Sequence, residues 1–321
     1  MNDKDTINQY IQIIKWGGSK DINAELLLRI TSLCNMRCRY CFAVRKFEKI
    51  SAERLIALML KRLSEEGIGL NSGILITITG GEPLLREDLI ELLRGLKRIL
   101  GNYKINIQTN ATLINRDMAK KLLQSNVRSA FIGFPSINRK NYYLLTGVKN
   151  GYEQAIRGVN SLIEAKIDVC LNFILHKMTI EEFEDIPSFI VNNFGKSVSV
   201  NLSTLSPGTP MEFLREYGIP YSEAGKILQR AYFGLKERGI RYGSFGGDCS
   251  PPICAFEGME IKDIFSFGSS PLQIKYVNEF TNIEDGYRYK LISCRRCKYN
   301  SKCSGIPFGY AILFKRHNFR L

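Results

Sequence analysis

Short apolar runs alternate with amphipathic stretches along most of this chain, and that alternation limits the fold more than any other feature. Residues 25–30, 74–79, 104–109, 129–134, 168–175 and 198–205 read as strands. Between them lie helical patterns. One opens at Ser51 and stops at Gly67, one runs over 87–100, and one is capped by Asn115 and ends near Ser125. Thr179-x-x-Glu182 reads as a capping box opening another. Strands alternating with helices argue for a parallel sheet. Roughly six βα units close most economically as a partial (β/α)6 TIM-like barrel, an α/β fold, with ligands at the C-terminal ends of the strands. The 321 residues suffice for such a barrel and an appendage. Residues 1–23 read as a lead-in, irregular or briefly helical and broken at Gly17-Gly18. Residues 24–238 read as the barrel, and 239–321 as a small cysteine-rich C-terminal extension, where periodicity is lost and Gly and Ser rise.

The loop leaving the first strand reads Cys34-Asn-Met-Arg-Cys38-Arg-Tyr-Cys41. Three thiolates on one loop can hold three irons of a [4Fe–4S] cluster and leave the fourth open. A zinc site or free thiols are the alternatives. Zinc knuckles favour cysteine pairs with a fourth ligand nearby, and none lies close in sequence. The nine cysteines are an odd number, mostly in short-spaced groups, which is metal-site usage rather than a disulfide framework. The second strand ends in Gly80-Gly81-Glu82-Pro83. Two glycines permit close approach of a ligand, and a tight strand-to-helix turn with Pro83 near the helix start explains them equally.

The cysteine loop, with Gly-Gly-Glu-Pro one βα unit later, resembles the signature of the radical S-adenosylmethionine (radical SAM) enzymes. In that family the open iron binds the amino and carboxylate groups of S-adenosylmethionine. One electron then cleaves the sulfonium to a 5′-deoxyadenosyl radical, which abstracts a substrate hydrogen. The resemblance places Tyr40 near the adenine, and Gly80, Gly81 and Glu82 along the methionine end. Asn110-Ala-Thr resembles the family's Thr-Asn-Gly turn, with Ala111 where glycine is usual. Phe134-Pro-Ser-Ile stands where the family often has Ser-x-Asp-Gly, which leaves Ser136 as the polar candidate for a ribose contact. Asn172 either faces the cofactor or satisfies backbone groups inside the barrel. Cys170, two residues away on the same strand face, reads as core. The stretch 145–152 resembles the loop before the fourth helix, and His176 reads as structural.

Cysteines return as Cys249, Cys254, Cys294, Cys297 and Cys303. The last three resemble the core of the SPASM/twitch extension, which ligates an auxiliary iron–sulfur cluster. The resemblance makes Cys254 the fourth ligand of a second [4Fe–4S] cluster, and residues 305–310 resemble the stretch after the last cysteine in that subgroup. A full SPASM domain carries two auxiliary clusters and needs more cysteines than remain. Cys249 is a spare, an alternative ligand or a reactive thiol, and a four-cysteine zinc site is the other reading of the spacing.

The net charge is +14. It suits an acidic peptide, a polycarboxylate or an acidic electron donor such as ferredoxin or flavodoxin. The absence of a long Lys/Arg run argues against dedicated nucleic-acid binding. No window of eighteen apolar residues and no signal-peptide profile is visible, so no membrane partner and a cytoplasmic location are expected. The resemblance implies peptide or protein modification by a maturase, although no leader-binding domain is evident in the first 24 residues. Oxidation or decarboxylation of a small molecule in haem-type cofactor synthesis is the alternative. From another class, a non-catalytic zinc or iron–sulfur nucleic-acid-binding module would have no use for Gly-Gly-Glu-Pro.

Overall fold

The computed structural model describes residues 3–15, 24–43, 49–69, 73–101, 103–243, 249–256, 258–259 and 273–318. The Gly17-Gly18 break lies outside them. The chain is α/β, with its strands in sequence order in an eight-stranded sheet of the partial-barrel class. It divides into two compact units, Met1–Arg37, Ala43–Phe134 and Tyr142–Leu171 forming one, and Cys38–Phe42, Pro135–Asn141 and Asn172–Leu321 the other.

In the first unit the lead-in is more ordered than expected. Helix α1 (Asp3–Tyr10) runs into strand β1 (Ile11–Lys15), which pairs antiparallel with β2 (Ala24–Thr31). The alternating Ile11 and Ile13 fit an edge strand, a signal too short to separate from a helix in the sequence. Strands β2, β3 (Ile74–Gly80), β4 (Ile105–Thr109) and β5 (Val127–Gly133) then pair parallel. Leu26, Leu28 and Ile30 bury one face of β2. Each such side chain contributes about 1.5–3 kcal/mol.

The opposite face of these strands is polar. Thr77 donates to Glu25 at 2.6 Å, Asn106 to Thr77 at 3.2 Å, and Ser129 to Asn106 at 3.0 Å. Helices α2 (Ala52–Glu65), α3 (Leu89–Leu100) and α4 (Arg116–Gln124) follow their strands, with Ser51 and Asn115 accepting N-cap hydrogen bonds as expected. Two helices follow β5. α5 (Arg139–Thr146) takes up the first residues of the expected loop, and α6 is Gly151–Glu164.

Strand β6 (Asp168–Leu175) crosses the division between units at Asn172. The second unit continues with α7 (Ile186–Phe194), β7 (Val198–Thr204), α8 (Met211–Tyr217), α9 (Tyr221–Glu237) and the short β8 (Arg241–Tyr242). The expected capping box does not form. Thr179 turns its hydroxyl back to the carbonyls of Ile174 and His176, and the Glu182 carboxylate is held by residues 136–141. Helix α7 therefore starts later, after Asp185, with Pro187 in its first turn.

A small sheet closes this unit. Strand β10 (Tyr287–Leu291) lies parallel to β9 (Gln273–Val277) and antiparallel to β11 (Ile306–Pro307). The fully buried Arg288 donates to the carbonyls of Ser304 at 2.8 Å and Gly305 at 2.9 Å. Lys290 donates to the Asn300 carbonyl at 2.7 Å. These bonds fold the segment carrying Cys294, Cys297 and Cys303 back onto β10. Gly305 has φ +69°, and a Cβ there would meet the Tyr289 carbonyl at 2.5 Å. Helix α10 (Phe308–Phe314) follows.

Candidate active site

In the first unit, the segment leaving β2 is clamped by the end of β3. The Gly81 N–H donates to the Thr31 carbonyl at 2.8 Å, and the Glu82 N–H to the Leu33 carbonyl at 2.7 Å. A Cβ on Gly80 would stand 2.3 Å from the Thr31 oxygen, and one on Gly81 2.1 Å from the Leu33 oxygen. The close approach that the two glycines permit is thus, in the structure, an approach of the chain itself. The buried Arg86 guanidinium donates to the Ile30 carbonyl at 2.9 Å, to Ile50 at 3.0 Å and to Asp88 at 2.8 Å. It ties together the two ends of the segment between Ile30 and Ile50.

Glu82 is fully buried. It accepts from the Leu84 N–H at 3.1 Å, the Thr109 hydroxyl at 2.7 Å and the Asn110 N–H at 2.8 Å. Burial pushes its carboxyl up, and the three donors pull the other way. Asn110 in turn donates from Nδ2 to Asn35 Oδ1 at 2.8 Å, and Asn35 donates to the Thr112 hydroxyl at 2.8 Å. A chain of hydrogen bonds therefore runs from Glu82 through Asn110 to Asn35, the residue after Cys34. Ala111 sits at φ +60°, the conformation glycine takes at low cost, which accounts for the family's usual residue there.

In the second unit, Tyr40 lies with its ring centroid 6.0 Å from that of His176 and 6.1 Å from Phe213. His176 is fully buried just past β6, and neither ring nitrogen has a hydrogen-bond partner among the described residues. Burial, reinforced by the Arg39 charge, drops its pKa to about 3, so it is neutral at physiological pH. Arg39 lies over the rings of Phe213 and Tyr217, 5.5 and 4.9 Å from their centroids, and donates to the Tyr217 hydroxyl at 3.2 Å. The Thr209 hydroxyl donates to the Tyr40 carbonyl at 3.4 Å. These contacts hold Cys38–Phe42 to α8 and the turn before it.

Ser136 donates to Glu182, 2.7 Å from Oε2, and the Ile137 N–H donates to the same oxygen at 2.8 Å. Asn141 donates to Glu182 Oε1 at 2.7 Å. Burial pushes the Glu182 carboxyl up against these donors. A cavity of about 490 Å³ opens beside it, lined by Asn138, Asn141, Lys177, Met178 and Glu181. Asn172 accepts from Asn201 at 2.5 Å and from Ser203 at 3.0 Å, so its side-chain oxygen serves neighbouring strand β7. Cys170, on the same strand face, is half-buried rather than core.

None of the nine cysteines is in a disulfide. Cys34 and Cys297 are exposed, and Cys38, Cys41, Cys254, Cys294 and Cys303 half-buried. As placed, no three Cys, His, Asp or Glu side chains among the described residues converge into a metal-holding group. The donor chemistry nonetheless fits an iron–sulfur group. Cys34 accepts the Met36 N–H at 3.4 Å, Cys297 that of Tyr299 at 3.4 Å, and Cys303 that of Gly305 at 3.4 Å. Backbone N–H groups aimed at sulfur from two residues on are what stabilise thiolates around a cluster. Burial pushes the Cys294 thiol up, and nearby Cys303 and Cys297 add to it, a neighbourhood that a metal would neutralise. Cys254 lies in a 3₁₀ turn, Ile253–Ala255, that packs against Gly225 of α9, where a Cβ would meet the Ala255 oxygen at 2.2 Å.

The sequence profile of the radical SAM superfamily matches residues 28–190, just over half of the chain. The chain belongs to the radical SAM superfamily. A [4Fe–4S] cluster and S-adenosylmethionine come with that membership. Among curated relatives, the probable GTP 3′,8-cyclase of Saccharolobus islandicus is 30% identical over 160 residues, 49% of this chain and 50% of that protein. The Fe-coproporphyrin III synthase of Methanosarcina barkeri is 32% identical over 170 residues, 53% of this chain and 41% of that one. The chain thus spans about half the length of the curated relatives it matches. Among solved structures, Streptococcus suis SuiB bound to the precursor peptide SuiA has the same fold, with a TM-score of 0.56 and 17% identity over 77% of this chain and 55% of that one.

Several contacts that shape this radical SAM site carry no signal in the sequence. Asn35 joins the Glu82–Asn110 chain by bonds to Asn110 and Thr112, 75 and 77 residues away. The burial of Arg86 and its bonds to Ile30 and Ile50 are seen only in the fold. Glu182 reads as a local cap, and only the fold shows it bound to Ser136. Among the described residues no helix is long and apolar enough to cross a membrane.

Proposed function

We propose that this radical SAM enzyme removes a hydrogen atom from a peptide or protein side chain, as a maturase. When bound, the cluster and S-adenosylmethionine supply the one-electron chemistry. In this reading Cys34, Cys38 and Cys41 hold the first cluster. Cys254, Cys294, Cys297 and Cys303 hold an auxiliary [4Fe–4S] cluster in a SPASM/twitch-like extension, 239–321, after a barrel spanning 24–238. The chain's own residues position. The Gly80-Gly81 clamp and Arg86 fix the root of the cysteine loop, and Glu82 and Asn110 hold Asn35 beside Cys34. Tyr40 is held by its aromatic neighbours for contact with the adenine. Ser136 reaches a ribose only by sharing its hydroxyl with Glu182, and Asn172 only by sharing its oxygen with Asn201. Leu33 is 65% exposed, apolar surface that a bound cofactor or substrate would cover. A cytoplasmic location, where an acidic ferredoxin or flavodoxin is at hand, completes the reading.

What supports the peptide reading is the fold shared with SuiB, which was solved bound to its precursor peptide, together with the cysteine-bearing segment folded onto β10 by Arg288 and Lys290. Similarity to the Methanosarcina barkeri enzyme favours a second reading, oxidation or decarboxylation of a porphyrin. Anaerobically reconstituted protein with dithionite and S-adenosylmethionine separates them. Faster 5′-deoxyadenosine release on adding candidate peptides, with a mass change in the peptide, supports the first. Stimulation only by a more highly carboxylated tetrapyrrole, with iron-coproporphyrin formed as product, supports the second. No release with any addition removes both.

A further inference from the structure

The end of the chain carries charge of one sign. No Asp or Glu follows Asp285, whereas nine Lys and Arg do. Arg288 and Lys290 are buried and spend their hydrogen bonds inside the small sheet. Arg295, Arg296, Lys298 and Lys302 are exposed, interleaved with Cys294, Cys297 and Cys303, and form no ion pair among the described residues. Four unneutralised cations within eight residues make a local positive field.

We propose that this face, Arg295, Arg296, Lys298 and Lys302, is the docking surface for a small acidic electron-transfer protein. The proposal rests on the radical SAM reading, which requires a one-electron donor from outside the chain. Three observations select that partner. The four exposed cations lie within eight residues, a short stretch that suits the small, polar and transient interfaces of redox encounters. Arg296 and Lys298 flank the exposed Cys297 in the chain, so a donor docked on them sits beside the cysteine segment. Nucleic acid fits less well, because the aromatic faces on which bases would stack are taken by the chain's own cations. Arg295 and Lys290 stand 5.0 and 5.8 Å from the Tyr276 ring centroid, and Lys298 stands 4.8 Å from that of Tyr299.

The test measures binding of purified flavodoxin to the reconstituted full chain at low ionic strength. Comparison is with an R295E/R296E/K298E variant and with K120E/K121E, a reversal on the exposed face of α4. The cysteine-segment variant should bind about tenfold or more weakly, with wild-type affinity falling as salt rises. The α4 variant should change affinity less than twofold. Flavodoxin should also protect Lys298 and Lys302 of the wild-type chain from acetylation, and not Lys120 or Lys121, a readout independent of whether the variants fold. Equal weakening by both reversals, no protection of Lys298 and Lys302, or tighter binding of a DNA strand of equal charge would each overturn the proposal. Iron content and 5′-deoxyadenosine release with dithionite are measured on the same samples. Their absence in the wild-type chain would indict the radical SAM reading, whereas their presence there with failed docking indicts the surface alone.

Discussion

Glu82 Oε2 accepts the backbone N–H of Asn110 at 2.8 Å, joining the turn after β3 to the turn after β4. Its other oxygen takes the Thr109 hydroxyl and the Leu84 N–H. The carboxylate of the Gly-Gly-Glu-Pro motif is therefore a buried bracket of the site's scaffold. In Glu82→Gln the new amide sets a donor against a donor, which should cost about 1–3 kcal/mol. The folded carboxyl is raised above its ordinary 4.5 by burial, so its contribution is complete below that pH and fades as pH rises through the folded value. Denaturant unfolding should thus show the largest gap between wild type and variant at low pH. A gap that widens with rising pH would contradict the assignment.

Ala111 occupies the left-handed region with its side chain buried, its carbonyl under Gly158. Ala111→Gly should be neutral or stabilising by up to about 1 kcal/mol, since glycine adopts this φ without strain. Thermal melts resolve the sign. A loss of more than about 1 kcal/mol would mean that the methyl packs better than the strain costs.

Gly81→Ala places a methyl 2.1 Å from the Leu33 carbonyl oxygen and 3.0 Å from the Ser32 carbonyl carbon, all backbone. The segment leaving β2 must shift, at about 3 kcal/mol or more. The variant should melt lower and retain less iron at the first cluster than Gly67→Ala, a control where φ +65° strains an alanine but a Cβ meets nothing within 4 Å. Equal iron retention in the two variants would show that the clamp does not position the cysteine loop.

His176 is neutral because burial lowers its pKa to about 3. Its folded value lies below the ordinary 6.5, so the native state loses stability as pH falls from about 6.5 towards 3. His176→Phe keeps an aromatic ring against Tyr40 and Phe213 and should flatten that part of the pH–stability curve. In wild type its ring proton signals should not move between about pH 5 and 8. A titration midpoint near 6.5 would show that the ring is hydrated.

Most of the scaffold is legible in the sequence because its signals are local. The β-branched run of β3 and the caps Ser51 and Asn115 each act within a few residues. The capping box expected at Thr179 fails because Glu182 has better partners 41 and 46 residues away, in Asn141 and Ser136. No periodicity marks such a pairing. β1 is not legible because five residues at a sheet edge resemble a lead-in. In the site itself, residue types and spacing point to the chemistry, while the Glu82–Asn110–Asn35 chain and the isolation of His176 depend on packing.

The most direct test of the account is the iron and sulfide content of anaerobically reconstituted wild type beside Cys38→Ala and Cys297→Ala. Two separate [4Fe–4S] sites predict about eight irons in wild type and about four in each variant, with 5′-deoxyadenosine formation lost in Cys38→Ala and at least partly kept in Cys297→Ala. About four irons in wild type, unchanged in Cys297→Ala, or zinc in place of iron at the second site, would contradict it.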